Sequence, residues 1–133
     1  MRAGDTYIRA GKHIQADPHL WVLISDPKAD KRVVAVNITS QRIDKDQSCF
    51  IFPGEHPFVE SESVVMYAGA RVVLVSAILA GVSAKALKLH SKVSPKLLAK
   101  IRAGAAASDK LPLEAKRILQ AQGIIASGPD NSD

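Results

Sequence analysis

His19 stands just before the apolar run LWVLIS, Thr39 and Ser40 close the run VVAVNITS, and His56 lies in the turn PGEHPF. Imidazoles and hydroxyls delivered at the ends of β-like runs, with no metal signature, suit phosphodiester chemistry. Metal-free cleavage of a phosphodiester needs a base for the attacking hydroxyl, an acid for the leaving oxygen and donors for the charge that develops on the phosphorane. Histidine supplies either proton-transfer role near neutral pH. The prolines around His56 restrain its loop and point its side chain in one direction. That makes it a candidate partner of His19 as acid or base; the alternative is a loop histidine hydrogen-bonded to backbone. No HxH or HxxxH spacing accompanies the histidines, so neither a metal nor another cofactor is expected.

Positioning these groups falls to short β elements. Residues 5–9 and 20–25 read as strands, and LWVLIS is too apolar for one exposed face, which makes it a central strand ended by Asp26-Pro27. DPKADK supplies a tight turn into the β-branched strand RVVAVNIT. CFIF makes another strand, stopped by Pro53-Gly54. Val64 through Tyr67 and Ala70 through Val75 bring the count to five or six. A small antiparallel β-barrel hides that many strand edges economically. After Val75 the period turns helical. Ser76 is placed to cap a helix toward Leu87, Ser94-Pro95 opens a second over KLLAKIRAGAAAS, and Pro112 a third from Leu113 to about Gln122. The expected fold is α+β: a single domain over residues 1–125, with the barrel over 4–75, C-terminal helices over 76–122, and a disordered tail over 126–133.

Lys and Arg number 18 against 13 Asp and Glu, a net charge of +5 that favours RNA, DNA or acidic peptides as partners. Arg9, Lys12, Lys31, Arg32 and Arg42 are expected on loops around one barrel end, as a phosphate-binding rim or a solvated basic face. His13, in the first of these loops, borders an RNA groove or is a plain surface histidine. Glu55 and Glu60 are lone carboxylates of either surface or site. The only cysteine, Cys49, excludes an intrachain disulfide and a thiolate zinc cluster, and in CFIF it reads as a small buried hydrophobe. Such cysteine usage, with neither a signal-like N-terminus nor a stretch able to cross a bilayer, gives a cytoplasmic location and no membrane partner as expectations.

Gly4-Asp5, the strand Trp21 to Ser25, the strand end Asn37 to Ser40, and the run Ser63 to Val73 with Arg71 resemble, in that order, the MazF/PemK/Kid toxin family. The resemblance implies an SH3-like barrel, a homodimer, and metal-independent cleavage of single-stranded RNA. It also implies a cognate antitoxin that lays an acidic segment along the site. It puts Thr39 at the family's catalytic hydroxyl, with Ser40 beside it as an RNA contact, and His19 where the family has its catalytic arginine. Arginine stays protonated and stabilises charge, so histidine there preserves the reaction with altered roles or marks a lost activity. Arg71 corresponds to an arginine near the family's dimer or RNA surface. Trp21 reads as core or dimer interface, with base stacking as the lesser role. Two other functions fit the same elements: a non-catalytic barrel that binds protein or nucleic acid through its loops, and a gyrase poison acting through C-terminal residues.

Overall fold

The structure, a computed structural model, describes residues 1–9, 19–40 and 45–127. Leu20–Leu23 (β2) and Arg32–Ser40 (β3) pair antiparallel across a turn in which Lys31 N–H bonds Lys28 O at 2.9 Å. Thr6–Arg9 (β1) pairs with the other side of β2. The LWVL run is therefore central, with Leu20 and Val22 in one core and Leu23 in another, as a strand apolar on both faces requires.

Phe50–Ile51 (β4) and Ser63–Leu74 (β5) extend the sheet beyond β3, and Leu87–His90 (β6) extends it beyond β1. The order β4-β5-β3-β2-β1-β6 makes a six-stranded antiparallel sheet curled into a half-barrel. The helices are Val75–Ser83 (α1), Pro95–Ala107 (α2) and Leu113–Ala121 (α3). This is the α+β arrangement expected. Among the described residues no helix is long and apolar enough to cross a membrane.

Three local expectations are corrected. Val64–Tyr67 and Ala70–Val75 are not two strands but one, β5, interrupted by a bulge. Asn37 pairs with Met66 and Ala35 with Arg71, so Tyr67–Ala70 oppose Val36 alone. A Cβ on Gly69 would lie 3.3 Å from Asn37 Nδ2, which is why this position suits a residue without one. Ser76 does not cap α1: the chain turns helical directly from β5, Leu74 is the N-cap, and no side chain caps it. The helix also stops at Ser83, short of Leu87. Lys85 at φ 62° turns the chain, and Leu87–His90 becomes a strand because the free edge of β1 offers it a ladder.

Alternation divides the sheet into two unlike faces. Val34, Val36, Ile38, Val65 and Tyr67 point into the larger core, closed by Leu97 and Ile101 of α2 and Leu119 of α3. Ser94 caps α2 by accepting from Leu97 N–H at 3.0 Å, with Pro95 at the first helical position. Gly104 lets α2 lie close: an added Cβ would come within 2.7 Å of Cys49 Cβ. Tyr67 Oη donates to Ile101 O at 2.6 Å, giving its buried hydroxyl a partner. The second face is covered only in part. Ile78 of α1 packs there on Leu23, Val33 and Ala35, at the end of the sheet nearest the β2–β3 turn. The other end of that face carries Trp21, Asn37, Thr39 and Phe50, each only half-buried.

Candidate functional site

The open end of the second face is where the register gathers polar groups. Leu20 pairs with Ile38, so His19 and Thr39 both lie one residue beyond that pair, at the same end of β2 and β3. Leu20 and Ile38 fill the larger core. Thr39, alternating with Ile38, therefore faces the open side. Val64 pairs with both Thr39 and Phe50, which sets the three in line across the sheet on this face. Phe50 stacks with the exposed Phe52, centroids 6.4 Å apart and planes 18° apart. His19 is exposed.

Lys45 completes the group. Its Nζ donates to Thr39 Oγ1 at 3.1 Å and to Ser40 O at 3.2 Å. The hydroxyl accepts from the ammonium, leaving its own proton free for an incoming oxyanion. Asp46, next in the chain, fixes this segment. It accepts from Ser48 N–H and Oγ–H at 2.9 and 2.6 Å, and from Ser108 Oγ, beyond the end of α2, at 2.6 Å. Partial burial pushes the Asp46 carboxyl up, but the hydrogen bonds from Ser108 and Ser48 outweigh it and hold the group below its usual value. An exposed imidazole thus stands at the same end of the sheet as a hydroxyl held by an ammonium. Among the described residues no group of three or more His, Cys, Asp or Glu is arranged to hold a metal.

His56 is not brought to this group. It is buried at 2% exposure, its Nε2–H donates to Ser91 O at 2.6 Å, and its Nδ1 accepts from Phe58 N–H at 3.0 Å. Both ring nitrogens serve the backbone, which fixes the neutral Nε2–H tautomer. Ser91 O also accepts Thr6 Oγ1–H at 2.7 Å. Thr6 alternates with Tyr7, which packs on the second face, so the bond lies on the opposite side of the sheet from Thr39. His56 thereby ties the loop between the β4 edge and β5 to the β6 edge: a clasp for the half-barrel. His90 stands 5.3 Å from its ring; partial burial lowers the His90 pKa, and His56 and Lys88 lower it further.

Among the described residues, the basic side chains named above do not gather at one end of the sheet. Lys31 and Arg32 stand at the start of β3, eight residues from Ser40, roughly 26 Å away at the rise of a strand. Arg32 is engaged there with Glu114 at 2.8 Å. The nine-residue length of β3 forces this separation. Arg9 lies at the His19 end, one residue past the Ile8–Leu20 pair, and Arg71 lies midway, opposite Ala35. Lys12, His13 and Arg42 fall outside the described residues, as does the tail from 128 onward. Ser25 is used internally: buried, it accepts Val34 N–H at 2.8 Å. Cys49 is buried and burial pushes its thiol up, which leaves it a core group. Glu55 pairs with Lys100 at 2.8 Å, and Glu60 is exposed.

Lys45 was not singled out from the sequence. Its role depends on a six-residue return to Thr39 that no motif encodes, and the DKD loop signals only a turn. No protein-family model matches the chain, and no curated protein matches it either.

Proposed function

We propose that the chain is a metal-independent endoribonuclease that cleaves single-stranded RNA at the open end of its sheet. The observation that carries this is Lys45 Nζ on the Thr39 hydroxyl, at the end of the β2–β3 pair where His19 also stands. His19 removes the 2′-hydroxyl proton, the 2′-oxygen attacks phosphorus as the bond from phosphorus to the 5′-oxygen breaks, and the departing 5′-oxygen takes its proton from solvent water. Thr39 and Lys45 meet the phosphorane charge. The ammonium stands in for the guanidinium that the toxin family carries at the position of His19. The half-barrel with its helices supports an SH3-like barrel of that family, and a toxin of a type II toxin–antitoxin system follows from it, working in the cytoplasm. The net charge of +5 suits both RNA and an acidic antitoxin segment. Purified protein incubated with mixed-sequence RNA should cut it in the presence of EDTA; intact RNA would contradict the proposal.

A homodimer belongs to the same proposal. Leu74, Leu79 and Leu89 are each nearly half exposed, around α1 and the β6 edge, and a second copy would cover such apolar surface. Light scattering should report twice the chain mass at micromolar concentration, and a monomer there would argue against the dimer. The rival function is a binding module that holds RNA or protein on the same face without cutting. It is favoured by the histidine at the arginine position, and RNA bound but left whole would establish it.

A further inference from the structure

Among the described residues, His56 is the one buried side chain that gains a charge near neutral pH; the other buried polar groups are Thr6, Ser25 and Ser63. It joins the loop after β4 to the end of β6, the two outer strands of the sheet. His90, half-buried at the end of β6, stands against it, and Phe58 meets His90 edge-on with centroids 5.7 Å apart. The two imidazoles share one bonding arrangement. Nδ1 of His56 accepts Phe58 N–H at 3.0 Å, and Nδ1 of His90 accepts Ser91 N–H at 2.8 Å. A nitrogen that accepts carries no proton. Protonating either ring therefore sets N–H against N–H and loses a backbone bond, and protonating both puts like charges on rings 5.3 Å apart.

The carboxylates near the pair are already engaged or exposed. Glu55, beside His56, is bound to Lys100 of α2 at 2.8 Å, and Asp5, one residue before the Thr6–His90 pair, meets Lys92 at 3.8 Å. Glu60 and Glu62 of the same loop are exposed, as is Lys96 of α2. Arg9 lies farther along β1, opposite Leu87. Burial, then the His56 ring, then Lys88 hold the His90 pKa below its usual value. A lowered imidazole pKa gives stability that is present above about pH 6.5, the value in an open chain, and is lost as pH falls through it.

We propose that His56 and His90 form an acid-released clasp, which in mild acid frees the loop over residues 52–62 while both cores stay packed. The release reaches the open face through β4, the two-residue strand before this loop, whose Phe50 lies in line with Thr39. It stands whether or not RNA is cut.

Amide hydrogen exchange tests it, read by NMR as protection factors, which remove the intrinsic pH dependence of exchange. Phe58 N–H on His56 Nδ1 and Val59 N–H on His56 O, both at 3.0 Å, report the clasp. Leu23 N–H on Asp5 O and Ile24 N–H on Val34 O, both at 2.9 Å, report the two cores. In the freed loop each imidazole takes up a proton near pH 6.5, so from about pH 7.5 to 5.5 protection at Phe58 and Val59 should fall about tenfold for one ring and a hundredfold for two. Leu23 and Ile24 should hold theirs. His90→Gln, at a half-buried position, leaves one titrating ring and should limit the fall to about tenfold. Protection at Phe58 and Val59 that stays constant over this range, or falls only in step with Leu23 and Ile24, would overturn the clasp's release. An undiminished fall in His90→Gln would overturn the pairing of the two rings.

Discussion

His19→Ala is expected to slow RNA cleavage about 10²–10⁴-fold, the usual contribution of one general acid–base group. The loss should fall on the chemical step. His19 is exposed and precedes β2, outside both cores, so its removal leaves no cavity and the thermal midpoint should hold. RNA affinity should also persist, because Arg71, Lys45 and the aromatic surface remain. Single-turnover rates at saturating protein, with binding measured on an uncleavable RNA, separate the two effects. Parental cleavage rates in His19→Ala would remove this imidazole from the mechanism. The matching change His56→Ala should instead lower stability, since it leaves Phe58 N–H without its acceptor and Ser91 O with only one of its two donors, Thr6 Oγ1–H.

Lys45→Ala is expected to lower the turnover rate about 10²–10³-fold, the range found when one preorganised donor to a developing oxyanion is removed. The segment itself should keep its course, because Asp46 stays bonded to Ser48 and Ser108. If Lys45 meets the scissile phosphate, the log–log salt dependence of RNA binding should flatten by about 0.7, the value for one phosphate contact on a single strand. Lys45→Arg keeps the charge and should recover most of the rate. A Lys45→Ala protein with undiminished turnover would show that the ammonium only props the Thr39 hydroxyl in the free protein.

The elements that carry the site were legible because their signals are local and strong. The double-faced apolar run of β2, the β-branched β3 and the Ser94-Pro95 start of α2 state their structure within a few residues. Thr39 follows from where β3 ends. Less legible were features that other parts of the chain create. LKLH is too short to declare itself a strand; it becomes β6 because β1 has a free edge. The bulge in β5 depends on how Met66 and Arg71 pair with β3, and it decides where Arg71 points. The prolines beside His56 correctly mark a restrained side chain, but its partner, Ser91, is 35 residues away and on the other side of the sheet from Thr39. Lys31 and Arg32 could have been separated from Thr39 by counting: nine residues of strand put its start and finish at opposite ends of the sheet.

The most direct test of the central claim is the chemistry of the product ends. Mixed-sequence RNA is incubated with the purified chain in EDTA and the fragments are mapped at both termini. In-line attack by the 2′-oxygen, with His19 as base and Thr39 and Lys45 at the phosphate, predicts 5′-hydroxyl ends paired with 2′,3′-cyclic phosphate, which opens with time to 3′-phosphate. Fragments with 5′-phosphate and 3′-hydroxyl ends would mean that water, not the 2′-hydroxyl, attacks phosphorus, and would contradict the account.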